Sequence, residues 1–294
     1  MCGRIKLIVL LGLLALLLGG CGHHDVFPKA SVDRIDKFSL DSLRVEKFKK
    51  DPSAAELYAA MMKLYDSLQS VAASAESDIL PSDLWSINDK GDFTIDKEPF
   101  SVPKLDYRYA GPDKRLVKME GQIPTVRVDN GKTVIVVYPE AKCYRNLTVP
   151  FAEKHAIADI LGLTPASSSQ DEGMTQRSIE TLTRRPDETV DGEKVYVLDV
   201  RLAVLARAGQ PSLPAEIRRF FVGKDDLLPR KILITQVPLF SNQPNEHQNL
   251  TRVIFQGFEC NAKLSDDLFT KDPPSGFKLV TTAPKPPAPP ADQD

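Results

Sequence analysis

The sequence predicts a mainly β fold of the α+β class, with about ten antiparallel strands and two helices. An amphipathic helical pattern occupies residues 51–71, and alternation of apolar and polar residues dominates from about residue 92. Turn signals rich in Gly, Pro, Asn and Asp separate the alternating runs, as expected of short antiparallel strands. We therefore expect a meander of strands with the first helix lying on the sheet.

The first 20 residues have the pattern of a secretion signal that ends on a cysteine. Arg4 and Lys6 precede an apolar run over residues 7–18, which is short for a membrane span. The run closes with Leu18-Gly19-Gly20-Cys21, which resembles the bacterial lipobox, where cleavage precedes a lipid-modified cysteine. We expect residues 1–20 to be a lipoprotein signal peptide and Cys21 to carry the acyl chains, including palmitate; the alternatives are an uncleaved anchor helix and an ordinary signal peptide.

The residue after Cys21 bears on location. An inner-membrane retention signal has Asp at this position, where this chain has Gly22. By that resemblance we expect a lipid anchor in the outer membrane, facing the periplasm. Residues 21–50 are then a lipidated tether spanning about 30 Å on average, unless part of it packs as a short helix.

Charge and cysteine usage exclude some classes of function. Removal of residues 1–20 takes two of the 38 basic groups and none of the 40 acidic ones, which leaves a net charge of −4. This weak acidity argues against a nucleic-acid partner. Cys143 and Cys260 either form one disulfide in an oxidising periplasm or remain two buried thiols. Two cysteines and four scattered histidines predict no metal site, and nothing predicts a cofactor.

The first helix has a start signal and one apolar stripe. Asp51 is the expected cap, Pro52 suits the first helical position, and Glu56 complements the helix dipole. The stripe recurs at three- and four-residue steps over about twenty residues. Its members are Leu57, Met61, Leu64 or Tyr65, Leu68 and Val71.

The strands fall on both sides of a second helix. We predict this helix over residues 151–163, followed by a polar loop over residues 164–178. Hairpin turns are expected at residues 129–131, which contain Asn-Gly, and at residues 223–226. The strands are predicted over residues 105–109, 116–119, 126–128, 133–138, 143–149, 179–183, 193–205, 218–222, 230–237 and 250–259.

The chain ends in a closing segment and a tail. A capped turn is expected to direct Leu268 and Phe269 inward, before a Pro-Pro-x-Gly-Phe closure at residues 273–277. Residues 283–294 are rich in proline and predicted to be disordered. The folded domain is therefore predicted over residues 51–282.

Several of these stretches together resemble the periplasmic lipoprotein carrier and receptor (LolA/LolB-like) superfamily, over about residues 51–282. The stretches are Tyr65-Asp66-Ser67-Leu68, Lys104-Leu105-Asp106-Tyr107-Arg108-Tyr109, Asp129-Asn130-Gly131, Tyr138-Pro139, the hairpin of residues 223–229, Leu264-Ser265-Asp266-Asp267-Leu268-Phe269 and the Pro-Pro-x-Gly-Phe closure. The resemblance implies an unclosed antiparallel half-barrel whose helices cover a concave apolar face. It also implies a cavity that receives acyl chains of lipoproteins or lipids.

Cavity residues are expected at alternating positions of the strands and on the second helix. The strand candidates are Tyr107, Tyr109, Val117, Met119, Val126, Val128, Val134, Val136, Val253 and Phe255, and the lid candidates are Ile157, Ile160 and Leu161. For any single one of these residues, plain core packing is the alternative.

The predicted function is binding of acyl chains for transport or membrane insertion. The sequence lacks Gly-x-Ser-x-Gly, Walker, His-Glu-x-x-His and Cys-x-x-Cys motifs, so we expect no enzyme. The alternative function is an envelope-stress sensor or scaffold of the same fold, which would bind a periplasmic protein.

Overall fold

The computed structural model describes residues 35, 37–39, 45, 47–88, 90–97, 104–111, 114–121, 123–130, 133–147, 176–205, 215–237, 249–270 and 272–284. The predicted signal peptide, Cys21, the helix predicted over residues 151–163 and the proline-rich stretch from residue 285 lie outside this part of the chain.

One helix and many strands make up the described part of the chain. The elements up to residue 147 are β1 (Phe38–Ser39), α1 (Ala54–Ser67), β2 (Ser70–Leu80), β3 (Trp85–Ile87), β4 (Phe93–Ile95), β5 (Lys104–Ala110), β6 (Lys114–Met119), β7 (Thr125–Asn130), β8 (Val134–Tyr138) and β9 (Cys143–Leu147). The later elements are β10 (Gln176–Val190), β11 (Glu193–Leu205), β12 (Ala215–Gly223), β13 (Pro229–Val237), β14 (Leu250–Cys260), a 3-10 turn (Asp266–Phe269) and β15 (Lys278–Leu279).

Thirteen strands form one large sheet that does not close into a barrel. Its order is β10-β11-β12-β13-β14-β2-β5-β6-β7-β8-β9-β15, with β1 added to β14. Pairing is antiparallel, except that β1 runs parallel to β14 and β15 runs parallel to β9. The predicted fold class, a mainly β protein with an unclosed sheet, is confirmed.

The predicted hairpins are present. β7 and β8 pair antiparallel across the turn that follows Asn130, whose side-chain oxygen accepts from the backbone N–H of Thr133 at 3.3 Å. β12 and β13 are joined by residues 224–228, where Leu227 adopts a positive φ of 57°. Short turns therefore fix neighbouring strands in antiparallel register, as the Gly, Asn and Asp clusters predicted.

The first helix begins later and ends earlier than predicted. Its N-cap is Ser53, not Asp51, and Pro52 precedes the helix. The Ser53 hydroxyl accepts from the backbone N–H of Glu56 at 3.3 Å, while the Glu56 carboxylate accepts from the N–H of Ser53 at 2.8 Å. This reciprocal pair is a capping box, which a Ser three residues before a Glu makes possible. The helix ends at Ser67, and Val71 already belongs to a strand.

That strand, β2, was not predicted, yet it lies in the middle of the sheet. It pairs with β14 on one side and with β5 on the other. Its sequence, SVAASAESDIL, is rich in Ala and Ser, which are poor strand formers. The larger side chains around it come from the neighbouring strands, among them Tyr107 and Tyr109 of β5 and Phe255 and Phe258 of β14.

The two faces of the sheet are covered by different parts of the chain. We call the side that packs against α1 the α1 face, and the opposite side the outer face. The buried α1 face includes Val71, Ala73, Tyr107, Leu198 and Phe220. On the outer face, the β3–β4 hairpin lies over β11–β14 through Trp85, and the closing segment lies over β6–β9 through Phe269.

Part of the predicted tether packs on the domain from residue 35 onward. The backbone N–H of Ile35 donates to the Ser74 hydroxyl at 2.8 Å, and Phe38 pairs with Phe258 of β14. β13 pairs with β14 only as far as Ile254, so β1 occupies the edge of β14 that β13 leaves open. A Cβ on Gly257 would lie 2.5 Å from the Lys37 carbonyl oxygen, so only glycine permits this close passage.

The two remaining cysteines are separate thiols. Cys143 and Cys260 are both buried and neither forms a disulfide, which is the second of the two alternatives predicted for them. Cys143 lies on β9 and Cys260 on β14, with β2, β5, β6, β7 and β8 between their strands in the sheet. The order of the strands thus separates them.

Candidate functional site

Most of the predicted cavity residues lie on the α1 face. Cross-strand pairing puts Tyr107, Val117 and Val136 in one row of that face, since Val117 pairs with both Tyr107 and Arg127, and Arg127 pairs with Val136. Side chains directly opposite one another on neighbouring strands point to the same side of a sheet. The α1-face members of the predicted set are Tyr107, Tyr109, Val117, Met119, Val134, Val136, Val253 and Phe255.

Two predicted cavity residues lie on the wrong face. Val126 and Val128 pair with Val137 and Ile135 and belong to the outer face, where they pack with Phe269 of the closing segment. The prediction assumed that the apolar positions of β7 face the helix. They instead face the closing segment, which covers the outer face of these strands.

Four other predicted site residues fall outside the described part of the chain. These are the lid candidates Ile157, Ile160 and Leu161, together with the lipidation site Cys21. Their roles remain predictions.

α1 covers one part of the α1 face. α1 lies against β10 and β11, and its Leu57 and Met61 are fully buried in a cluster that includes Val200 and Phe220. The Tyr65 hydroxyl donates to the carbonyl oxygen of Leu227 at 2.9 Å, which ties the end of the helix to the β12–β13 turn. This part of the face forms the main core of the domain.

An ion pair lies inside this apolar part. The Arg218 guanidinium donates to the Glu216 carboxylate, and their side chains are 2% and 1% exposed. On the neighbouring strands, Arg218 is opposite Val200 and Ile234. Sequence analysis did not single out this pair, although two charged residues alternating with Ile217 in a strand were a signal that they share one face.

The other part of the α1 face, on β6–β9, is buried less evenly. Val134 and Tyr138 are buried, whereas Val117, Met119 and Val136 are half-buried. A sheet path of twelve strands is about 50 Å wide at roughly 4.8 Å per strand. α1 has 14 residues and is therefore about 21 Å long and about 10 Å across. Among the described residues, α1 packs on the α1 face together with Phe38, Val45 and Phe48, and these are too small to cover all of it.

Charged side chains stand among the apolar ones on this second part. Asp129 is buried and accepts from the Arg115 guanidinium at 3.1 Å, across the β6–β7 pair. Arg127 and Arg145 flank Val136 on the neighbouring strands. Sequence analysis missed these residues because it assigned Val126 and Val128, rather than their polar neighbours, to this face.

The buried thiol of Cys260 is held in its protonated form. Burial, followed by the nearby Asp226 and Glu259 carboxylates, raises the pKa of the Cys260 thiol to about 12. At neutral pH this thiol is protonated and is therefore a poor nucleophile. The part of the chain that the structure describes contains no group of three or more His, Cys, Asp or Glu placed to hold a metal ion.

The described residues contain one α-helix, α1, and it is neither long nor apolar enough to cross a bilayer.

Comparisons with known proteins find similarity in structure. No protein-family model matches the sequence, and no curated protein matches it. An uncharacterized conserved protein from Thermus thermophilus is similar over 77% of this chain and 98% of its own, at 10% identity and a TM-score of 0.42.

Two further solved structures carry more descriptive names. A LolA superfamily protein from Nitrosomonas europaea is similar over 75% of this chain and 99% of its own, at 12% identity and a TM-score of 0.35. The Mycobacterium tuberculosis lipoprotein LppX is similar over 72% and 95%, at 11% identity and a TM-score of 0.35. The first of these two structures has the name of the superfamily that the sequence resembles.

Proposed function

We propose that this protein is anchored in the cell envelope by lipid on Cys21 and binds acyl chains of lipids or lipoproteins against its α1 face. Residues 1–20 serve as the signal peptide, the outer membrane is the proposed location, and the bound chains are carried to or from a membrane. The observation that carries this proposal is the β6–β9 part of the α1 face. It presents half-buried Val117, Met119 and Val136, and α1 packs elsewhere.

The energetics of such binding are those of hydrocarbon burial. Burying a methylene group yields about 0.8 kcal/mol, so a chain of about fifteen methylenes yields roughly 12 kcal/mol before costs. The loss of translational and rotational freedom on association costs about 4–15 kcal/mol, which offsets much or all of this gain. One well-covered acyl chain is therefore near the threshold of stable binding, and two or three chains exceed it.

The decisive experiment is native mass spectrometry with organic extraction. Residues 22–294 are exported behind a signal peptide without a lipobox, so that any lipid recovered is a ligand and not the anchor. We expect acyl species in near-stoichiometric amount. A clean apoprotein mass that also takes up no added lipid contradicts the proposal, and favours the alternative of a sensor or scaffold that binds a protein.

A substitution locates the binding face. Val136→Glu puts a carboxylate among the apolar side chains of the α1 face, and we expect lipid uptake to fall strongly while the fold persists. Asn146→Glu is the matched control, because Asn146 is exposed and pairs with Ile135 of the outer face. Equal uptake by both variants would remove the β6–β9 part of the α1 face from the site.

A further inference from the structure

We propose that the N-terminal segment of the domain occupies apolar surface that the acyl chains of a bound ligand take over, and that it limits lipid uptake until the ligand displaces it. We call this segment the strap. Its described residues are Ile35, Lys37, Phe38, Ser39, Val45, Lys47 and Phe48. This inference rests on the proposed function and adds a means of regulation at the same face.

The strap contributes apolar side chains to the core of the α1 face. Phe38, Val45 and Phe48 are half-buried and pack against the cluster that includes Phe258 and Tyr196. The ring centroids of Phe38 and Phe258 are 5.8 Å apart, and the Phe48 ring meets the Tyr196 ring edge-on with centroids 6.0 Å apart. The strap therefore runs along the α1 face from β14 to β11.

The surface under the strap is continuous with the proposed lipid site. Val117 and Met119 of β6 pack against the same cluster as Phe38 and Phe48. β14 and β6 are three strand spacings apart in the sheet, which is roughly 14 Å. An extended acyl chain that begins on β6 can span this distance and reach the position of Phe38.

Few contacts hold the strap in place. β1 pairs with β14 over two residues, and Val45, Lys47 and Phe48 belong to no helix or strand. The Lys47 ammonium pairs with Asp225 at 2.8 Å, but the two side chains are 76% and 72% exposed. An ion pair so exposed to water contributes little. A segment with half-buried apolar contacts and an exposed ion pair opens more easily than the sheet beneath it.

Displacement of the strap would exchange one apolar occupant for another. An acyl chain in its place keeps the cluster out of water, and the released strap regains conformational freedom. The Arg230 guanidinium lies 3.7 Å over the Phe38 ring, and it also pairs with Glu193 and Asp226. Arg230 therefore keeps both carboxylate partners when the ring leaves, so no buried charge loses its counterion.

Loosening and fastening the strap should change lipid uptake in opposite directions. Residues 22–294 are incubated with phosphatidylglycerol vesicles at limiting lipid, and bound lipid is counted by native mass spectrometry. Phe48→Ala removes a half-buried ring, and uptake should rise about three- to tenfold, as expected from half of the transfer free energy of a phenyl side chain. Lys47→Cys/Asp225→Cys joined by a short bismaleimide should lose most of the uptake that it has before crosslinking. Cys143 and Cys260 are buried, so the reagent joins the two introduced thiols.

The matched control is Phe93→Ala, which truncates a half-buried ring on the outer face, 5.8 Å from the ring of Trp85. Its uptake should equal that of the wild type. A direct measure of displacement is trypsin cleavage after Lys47, which is exposed, and the vesicles should accelerate it.

The outcomes separate this inference from the proposed function. Uptake by the wild type that neither Phe48→Ala nor the crosslink changes, or that Phe93→Ala raises equally, would overturn the role of the strap and leave the proposed function standing. Uptake that leaves cleavage after Lys47 unchanged would do the same. Uptake by none of the variants would overturn both. If Phe48→Ala fails to fold, the crosslink and the cleavage of the wild type decide.

Discussion

Asp199 lies on the outer face of β11, between an arginine of β10 and an arginine of β12. The Arg219 Nε and Nη2 atoms donate to its two carboxylate oxygens at 2.6 and 2.8 Å, and the Arg185 Nε atom donates at 2.7 Å. The same guanidinium groups also hold the β3–β4 hairpin. Arg219 donates to the carbonyl oxygen of Gly91 at 2.6 Å, and Arg185 donates to that of Lys90. One carboxylate therefore positions both cations that fasten the hairpin to the sheet.

Substitution Asp199→Asn tests this arrangement, because it keeps the shape of the side chain and removes its charge. The Arg219 side chain is 4% exposed, so its charge is left buried without a counterion. Breaking a buried pair in this way costs about 3–5 kcal/mol. We expect about 3 kcal/mol, at the low end of that range, because the Arg185 side chain is 25% exposed and regains water.

The assay is urea unfolding, with trypsin cleavage after Lys90 as a local measure. A loss of about 3 kcal/mol corresponds to a midpoint roughly 1 M lower in urea, and cleavage in the hairpin should accelerate since Lys90 is exposed. Glu180→Gln is the control on the same face, since it breaks an exposed pair with Arg201 worth about 0–1 kcal/mol. A loss below about 1 kcal/mol in Asp199→Asn would refute the reasoning that this pair is a buried charge cluster.

Three further predictions follow from local contacts. Ser53→Ala removes the N-cap of α1 and should cost about 1 kcal/mol in urea unfolding, whereas Ser86→Ala on an exposed strand position should cost little. Gly257→Ala should displace the chain at Lys37, because the new Cβ of residue 257 would meet backbone atoms there. We expect a loss of about 1–3 kcal/mol in the free energy of unfolding and faster trypsin cleavage after Lys37. Unchanged cleavage would contradict this. The pKa of the Cys260 thiol is raised to about 12 in the folded protein, so the thiol of the unfolded chain ionises first as the pH rises. The contribution of this thiol to the free energy of unfolding is therefore fully present below pH 9 and is lost as the pH rises towards 12. Between pH 8 and 10 the wild type should lose about 1 kcal/mol from this thiol, a loss that Cys260→Ala should lack.

Sequence patterns located the strands that have strong local signals. β11 was predicted over residues 193–205, the range that it occupies, because β-branched residues and turn residues agree there. β2 was missed because Leu68 and Val71 continue the apolar spacing of α1, so the helical pattern runs on past the end of the helix. Its strand conformation is decided by pairing with β14 and β5, which no local pattern reveals.

The faces of the strands were harder to assign than the strands themselves. Alternation in β7 separates Val126 and Val128 from Thr125, Arg127 and Asp129, and the prediction chose the valines for the helix side. A row of apolar residues on one face of a strand predicts that another part of the chain packs on that face. It does not identify which part of the chain does so. Here the closing segment, more than 130 residues later in the chain, covers the valines through Phe269. The polar row of β7, with Arg127 and Asp129, was thereby left for the α1 face.

The packing of residues 35–39 changes what the proposed lipid anchor can do. If Cys21 carries the anchor, residues 21–34 separate it from Ile35, and these are about half of the predicted tether. A flexible chain of fourteen residues spans about 20 Å on average, in place of about 30 Å for the whole predicted tether. Ile35 binds Ser74, which is opposite Asp106 on the outer face, while Phe38 already packs with the α1-face cluster. The chain thus passes from the outer face at Ile35 to the α1 face at Phe38, beside β14. A lipid on Cys21 would therefore hold the domain closer to the membrane than the full predicted tether allows, because the second half of that tether belongs to the folded domain.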